Sequence, residues 1–440
     1  MATKAGDERP TTVMSAAIRR AAILSAVAPY PIDSGKSMVM AGILRHLTSR
    51  LHAGDVHYLH IGEPLVETTG FGDVVLHELG RPTRADRLVS VVGALRPRGQ
   101  SLQEAFLRSR HLSRAIQDTL ADINADLELI DTIRMNQFVS GHSCRGRRVL
   151  YLDDLFSVRY QRMLQLTPAE ARQSDFDPLG QFAQNVPRVL RPLTRMSWSR
   201  RVLLSSESRR VERSENRAAR TASLSLLLNE DEAAALRASS GGRVMAIPPS
   251  VTRPTRPIRR WHGRPEFVFV GLLSLAHNHD GLSWFLRDGM EILLRGCPNA
   301  VLHVIGRGAA PSLLARGGRF GDHVRFHGFV DDIDAISESC ALVNTLRFGS
   351  GVKIKTLDAL ARGLPVVATP FGAEGISSSS RPGLTIVNSA AEAGWALTRL
   401  TDQQVRASEG AAAARFFADR FSPAVVADIY DEAFGTCPRI

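Results

Sequence analysis

The residues best placed to do chemistry lie between Arg347 and Ile376, in the stretch RFGSGVKIKTLDALARGLPVVATPFGAEGI. Lys353 and Lys355 follow directly on a glycine turn, Gly349-Ser350-Gly351. The chain holds 55 basic residues, yet Lys4, Lys36, Lys353 and Lys355 are its only lysines. Where arginine is the default cation, two compact ammonium groups at a glycine turn suggest an anion held by point charge, and a phosphate is the natural one. Chance lysines on a solvated helix start are the plain alternative. Leu357, Leu360 and Ala361 recur at helical spacing, and Gly363 stands where such a helix stops. A glycine turn feeding a helix adds unpaired amides and the positive end of the dipole to the two lysines. Leu364 to Ala368 then reads as a buried strand, closed by Pro370 and Gly372.

Elements of the same kind recur on both sides of this stretch. Ala21 to Ala28, Val56 to Ile61, Val74 to Leu79, Leu127 to Ile130 and Val149 to Leu152 read as strands, with helices at Met38 to Leu51 and Leu102 to Leu120. Tyr160 to Arg220 is long, basic and mostly helical, with a short strand expected at Val202 to Ser206. Leu224 to Leu228 and Val244 to Ile247 are further strands, separated by a helix from Glu230 to Ala238. A proline-containing basic run then leads to Pro265, the clearest boundary in the chain. The alternation restarts with strands at Phe267 to Val270, Ala300 to Ile305, Val324 to His327, Cys340 to Leu346 and Leu384 to Val387. A helix is expected at Leu282 to Leu294 and a last one at Val425 to Phe434. Alternating strands and helices predict α/β structure, with parallel sheets and ligands outside the carboxyl ends of the strands. Gly35, Gly271, Gly306 and Gly351 all fall at such ends.

The reading divides the chain into a loose tail (1–17), a first Rossmann-like domain (18–250), a linker (251–265), a second Rossmann-like domain (266–420) and a terminal helix (421–440) expected to pack back on the first domain. At 440 residues, with 44% hydrophobic and 22% charged, the composition suits a soluble globular protein of two or three cores. No run of about 18 apolar residues occurs, so no membrane-spanning helix is expected. Ile18 to Ala28 has the positive start and apolar run of a signal peptide, but the turn and helix that follow at once favour a first core strand. Cys144, Cys297, Cys340 and Cys437 show no paired spacing, which argues against a disulfide framework or a zinc motif and fits a reducing cytoplasm. The net charge is +11, and ten arginines face three glutamates between Arg188 and Arg220. This is a solvated helical face, or a surface for anionic lipid or a charged acceptor. Aromatics are only 6%, and without a motif of aromatics interleaved with basic residues no nucleic-acid partner is expected.

The pieces FVFVGLLSLAHNHDGLSWFL, VLHVIGRG, VRFHGFVDDI and GSGVKIKTLDALARGLPVVATPFGAEGI, in this order, resemble the nucleotide-sugar glycosyltransferases of family 4. APYPIDSG and YLDDLFSVRYQR in the first half resemble a bacterial branch of that family, and the likeness is weak between Gly62 and Arg145. The resemblance implies the GT-B fold, two doubly wound Rossmann-like domains facing across a cleft. It implies a donor, a nucleotide-diphosphate sugar, on the second domain and a hydroxyl acceptor on the first, with retention of configuration. The acceptor could be a glycan, a lipid-linked intermediate, a protein or a small molecule, placing the protein in glycan biosynthesis.

The family's two glutamates correspond to Ser350 and Asp358, and Asp358 is expected on the ribose hydroxyls. The family's arginine and lysine after the first strand of the second domain correspond to Leu272 and His277, with Asn278 next, so Lys353 and Lys355 are the expected substitutes on the diphosphate. Lys355 facing solvent and Asn278 capping its helix are the alternatives. The resemblance places the amides of Phe329 and Val330 on the base, Gly35, Gly271 and Gly351 near the donor, and Glu374 on sugar hydroxyls. Lys36 adds charge there or is a surface lysine. Asp153 and Asp154 stand where many relatives have a His-Asp pair; one would orient acceptor or sugar, or Asp154 would cap the next helix. With Lys353 they are the candidate catalytic residues. Asp332 and Asp334 are read as helix caps, and His57, His60, His303 and His327 as core or surface histidines. No cofactor and no essential metal are expected, since lysine, amides and dipoles can neutralise the leaving phosphate. A cytoplasmic protein is expected, with peripheral contact to the inner membrane face allowed by the basic surface. A nucleotide-sugar or glycan-binding protein without activity, and a sugar-nucleotide epimerase of the same fold, are the alternatives.

Overall fold

The computed structural model describes residues 18–32, 35–83, 86, 100–165, 197–251, 265–337, 339–349 and 351–437. The tail (1–17), most of the expected linker, part of the basic stretch and Ser350 lie outside the described residues.

Among the described residues, thirteen strands form two sheets. The first contains β1 (Ala21–Ser25), β2 (Val56–His60), β3 (Val75–Glu78), β4 (Leu127–Asp131), β5 (Arg147–Asp153), β6 (Leu224–Leu227) and β7 (Val244–Ala246), in the order β3-β2-β1-β4-β5-β6-β7. The second contains β8 (Glu266–Val270), β9 (Val301–Ile305), β10 (Val324–Gly328), β11 (Ala341–Asn344), β12 (Val366–Ala368) and β13 (Leu384–Ile386), in the order β10-β9-β8-β11-β12-β13. Every pairing between them is parallel. Each sheet is wound outward in both directions from its first strand, so the order reverses between β1 and β4 and again between β8 and β11.

The strands read as apolar runs because helices cover both faces of each sheet. In β1 every residue is buried: Ala22 and Leu24 enter one core, Ala21 and Ile23 the other. In β8 Phe267 and Phe269 face one side and Val268 the other. The last helix, Pro423–Phe434, places Val426, Tyr430 and Phe434 in the core of the first sheet, and Asp431 pairs with Arg50 at 2.8 Å.

Three local readings are corrected. Val202 to Ser206 is not a strand but part of the helix Ser197–Thr221. The apolar run is short, and the packing of this helix against the helix Phe156–Gln165 overrides strand propensity. Leu102 to Leu120 is two helices, Leu102–Ala105 and Arg110–Ile123, because Ser101 and Ser109 each cap a new start. Leu282 to Leu294 divides at Gly289, where an added Cβ would lie 2.6 Å from the Ala390 carbonyl oxygen. A helix at Thr132–Val139 escapes the sequence pattern, and Thr132 opens it with φ +70°.

Candidate functional site

The site is built where the carboxyl ends of the two sheets meet. Lys353 occupies the cap position of the helix Ile354–Ala361. Its Nζ donates to the Gly351 carbonyl at 2.5 Å and to Glu374 Oε2 at 3.3 Å. Gly349 (φ +138°) and Gly351 (φ +75°) hold backbone conformations that side chains disfavour. Burial lowers the Lys353 ammonium's pKa, against the opposing pull of Glu374.

Lys355 turns inward. Its Nζ donates to the Val270 carbonyl, at the end of β8, at 2.9 Å and to Asn278 Oδ1 at 2.8 Å. Neither partner carries charge, and burial pushes the ammonium down to about 7, with Lys353 adding to the effect. The solvent-facing alternative for Lys355 is therefore set aside. Asn278 is buried and joins this lysine to the strand end, donating from Nδ2 to the Leu272 carbonyl at 3.0 Å. It does not cap the helix Ala276–Asp288, whose cap position is Leu275. Gly271 is needed because a Cβ there would lie 2.7 Å from Asn278 Cγ. His277 is half-buried, and burial followed by the two lysines pushes it down to about 4, so it is neutral at neutral pH.

The first domain reaches this cluster through Arg162, on the helix Phe156–Gln165. Its Nη1 lies 2.5 Å from Glu374 Oε1 and donates to the Gly349 carbonyl at 3.1 Å. Glu374 thus joins Arg162 of one domain to Lys353 of the other. Arg162 closes the YLDDLFSVRYQR motif, one helical turn beyond Arg159, yet its partner is more than 200 positions away and has no local sequence signal. Gly35 opens the helix Gly35–Arg50 against the same loop: a Cβ there would lie 3.2 Å from Ile354 Cγ1. Two helix starts, each with unpaired amides, therefore converge.

On the first sheet, Lys36 is not a surface lysine but is held among acidic and aromatic side chains. Its Nζ lies 2.7 Å from Asp131 Oδ1, 3.4 Å from Asp153 Oδ2 and 4.3 Å above the Tyr151 ring centre. The Asp153 backbone holds φ +71°, and Tyr151 donates to its Oδ1 at 3.0 Å. Burial raises the Asp153 carboxyl, opposed by Lys36. Ser25 donates to Asp131 Oδ2 at 2.6 Å. Asp154 is buried and binds Arg159 through 2.6 and 2.8 Å hydrogen bonds. Its Oδ2 faces Gly351 across the cleft, 3.8 Å from where a Cβ would stand.

The remaining candidates lie on the second sheet. Phe329 and Val330 follow β10; the Phe329 ring is exposed, with the Arg307 guanidinium 3.9 Å above its centre, while Val330 packs on the core. Asp358 is engaged by Arg362, four residues on, at 3.0 and 3.3 Å. Burial pushes its carboxyl up to about 6. Arg362 also pairs with Asp334, and Asp332 accepts from the Asp334 amide at 3.1 Å. Among the described residues one group of metal-type ligands occurs, Glu266, His303 and Cys340, away from this cluster. No helix among the described residues is long and apolar enough to cross a membrane.

Comparison with known proteins adds the following. Residues 264–403 match the family model Glycosyl transferases group 1. A Klebsiella pneumoniae protein described as an uncharacterized 44.6 kDa protein in cps region is 29% identical over 128 residues, which is 28% of this chain and 33% of that protein. Sucrose-phosphate synthase from Thermosynechococcus elongatus superposes with TM-score 0.62 at 15% identity, over 95% of this chain and 99% of that one. Anabaena HepE in complex with UDP gives 0.57 at 15% identity, over 95% and 100%. S. aureus TarM gives 0.52 at 11% identity, over 73% of this chain and 58% of TarM. The chain therefore spans only part of the length of the Klebsiella relative and of TarM. The solved structures show the fold, which is GT-B.

Proposed function

We propose that this chain, whose residues 264–403 form a Glycosyl transferases group 1 domain, moves a sugar from a nucleotide diphosphate to a hydroxyl acceptor. The observation that carries this reading is Lys353, held at a helix start between a glycine turn and Glu374, with Arg162 closing on it from the opposite domain. The geometry suits a departing diphosphate. Lys353, Lys355 and the amides of the two converging helix starts supply preorganised positive charge where negative charge grows. His277, neutral and beside both lysines, donates or accepts a hydrogen bond without adding charge. Glu374 engages sugar hydroxyls, exchanging its present partners for them. Phe329 and Val330 offer the base a flat apolar face, and Asp358 offers the ribose a carboxylate once Arg362 shares it. Asp153 and Asp154 face the incoming acceptor.

Retention of configuration, which the resemblance implies, is part of the proposal, with a phosphate oxygen of the leaving group taking the acceptor proton. HepE has been solved with UDP and with UDP-glucose, which makes uridine diphosphate sugars the first donors to try. The cps-region description of the Klebsiella relative supports a glycan product. Peripheral contact with an anionic membrane rests on the basic surface alone.

The test is nucleotide release from a panel of UDP-, GDP- and dTDP-sugars, with and without glycan acceptors. Acceptor-dependent release that is lost in Lys353→Ala, with folding intact, is the expected result. One observation favours a binding protein without transfer: Asp154, Asp358 and Glu374 are all engaged by arginine. That reading is established if nucleotide sugars bind in calorimetry yet release nothing with any acceptor.

A further inference from the structure

We propose that Glu266, His303 and Cys340 form a zinc-binding site on the second sheet, remote from the cleft and independent of the transfer reaction. The three residues come from neighbouring strands. Glu266 opens β8, His303 pairs with Val268 of the same strand, and Cys340 immediately precedes Ala341, which pairs with Phe267. Val268 and Cys340 share one face of the sheet, and Glu266, two residues from Val268, projects to that face. The ligand atoms of all three residues lie within 4.8 Å of one another.

His303 is the second observation that points to a ligand. It is 7% exposed, and its Nε2 is buried without a hydrogen-bond partner. That atom faces Glu266 Oε1 at 3.8 Å, too far for a hydrogen bond; two such ligands on a tetrahedral zinc stand about 3.4 Å apart, so a small approach would let both bind one ion. The other ring nitrogen, Nδ1, lies 2.9 Å from His327 Nε2, and the rings stack at 5.1 Å. With His303 donating from Nδ1 to His327, its Nε2 lone pair points at Glu266 and Cys340. A metal-bound histidine takes this arrangement, with the non-ligating nitrogen tethered to a second polar group.

The donor set selects the metal. A carboxylate, an imidazole and a thiolate together are too soft for magnesium or calcium and suit zinc, with water completing four ligands. Cys340 now donates its thiol hydrogen to the Ile336 carbonyl at 3.3 Å; that proton passes to solvent when sulfur binds the metal. Arg406 packs beside the group, but its guanidinium donates to the carbonyls of Leu400, Glu266 and Ser339. Zinc brings two positive charges and the thiol releases one proton, so the group passes from one net negative charge, on Glu266, to overall neutrality when the metal binds. The irregular cysteine spacing had argued against zinc, and it hid this site because its ligands are joined by the sheet and not by a local motif. The metal would clip β8, β9 and the start of β11 together.

The full chain, stripped with a chelator, is titrated with Co²⁺ and followed by absorption. One cobalt per chain with a thiolate-to-cobalt charge-transfer band, displaced by Zn²⁺, is expected. The band is lost in Cys340→Ser. His327→Gln keeps it while weakening affinity about ten- to a hundredfold. Zinc raises the melting temperature of the parent protein and not that of Cys340→Ser. Absence of the band, or a band that survives in Cys340→Ser, overturns the proposal. Should Cys340→Ser fail to fold, Glu266→Gln decides: at least tenfold weaker zinc binding supports the site, and unchanged binding sinks it.

Discussion

The two sheets end in clusters of similar parts and opposite charge balance. At the carboxyl ends of β4 and β5, Lys36 sits on two carboxylates, Asp131 and Asp153, and is neutralised inside the protein. Beyond β8 and β11, Lys353 pairs with Glu374, which Arg162 also engages, while Lys355 donates to a carbonyl and an amide and lies 4.8 Å over the Phe269 ring. His277 stands against that pair and is driven neutral. One fold, used twice, thus has one lysine between two carboxylates at one end and two neighbouring lysines beside Glu374 at the other. Two lysines close together at a helix start are what an incoming diphosphate would meet. The internally balanced end, with Asp153 in a strained backbone, suits a neutral hydroxyl.

This contrast predicts that the lysines fail differently. Lys36→Ala leaves two carboxylates facing each other without a cation, and we expect a loss of about 3–5 kcal/mol of stability in urea unfolding. Lys353→Ala should leave unfolding nearly unchanged while nucleotide release falls about 10²–10³-fold, the cost of removing one preorganised charge-stabilising group. Stability loss at Lys353 and a pure rate effect at Lys36 would reverse the assignment of the two ends.

Lys355 gives a sharper, smaller signal. Its folded pKa, about 7, lies below the ordinary 10.5. The unfolded chain therefore holds more protons across that window, so the stability of the unliganded protein rises with pH from about 7 to 10.5, and Lys355→Met flattens this rise. A diphosphate bound beside Lys355 would restore the ammonium. Donor binding at pH 8 should then take up a proton, seen as a dependence of calorimetric enthalpy on buffer ionisation and absent in Lys355→Met. Binding without uptake would mean that Lys355 does not meet the phosphate. The smallest effect is expected for Arg162→Ala. It removes a partly exposed bridge worth about 1 kcal/mol or less, so donor KM should rise less than tenfold.

Much of the fold was legible. The strands at Ala21, Val149 and Phe267 declare themselves because both faces of a parallel sheet demand apolar residues in succession. Val202 to Ser206 carries a similar short run and lies in a helix, since periodicity over five residues cannot separate the two. In the site, the rarity of lysine and the glycine turn drew attention to Lys353, but nothing local pointed to the groups that hold it. Arg162 was written in a recognised motif and still gave no sign of Glu374. His303 read as an ordinary strand histidine, because nothing local records that Glu266 and Cys340 stand beside it.

By itself the sequence determined the alternation of strands and helices, the places where glycine must bend the chain, and the positions of its few ammonium groups. These are local properties, set by neighbours within a few residues. Only the tertiary structure decided which charge each cation meets. Lys36 and Asp131, Arg162 and Glu374, Lys355 and Asn278 are brought together by sheet order and by closure of two domains. Coulomb energy depends on distance in space, and separation along the chain leaves no trace of it.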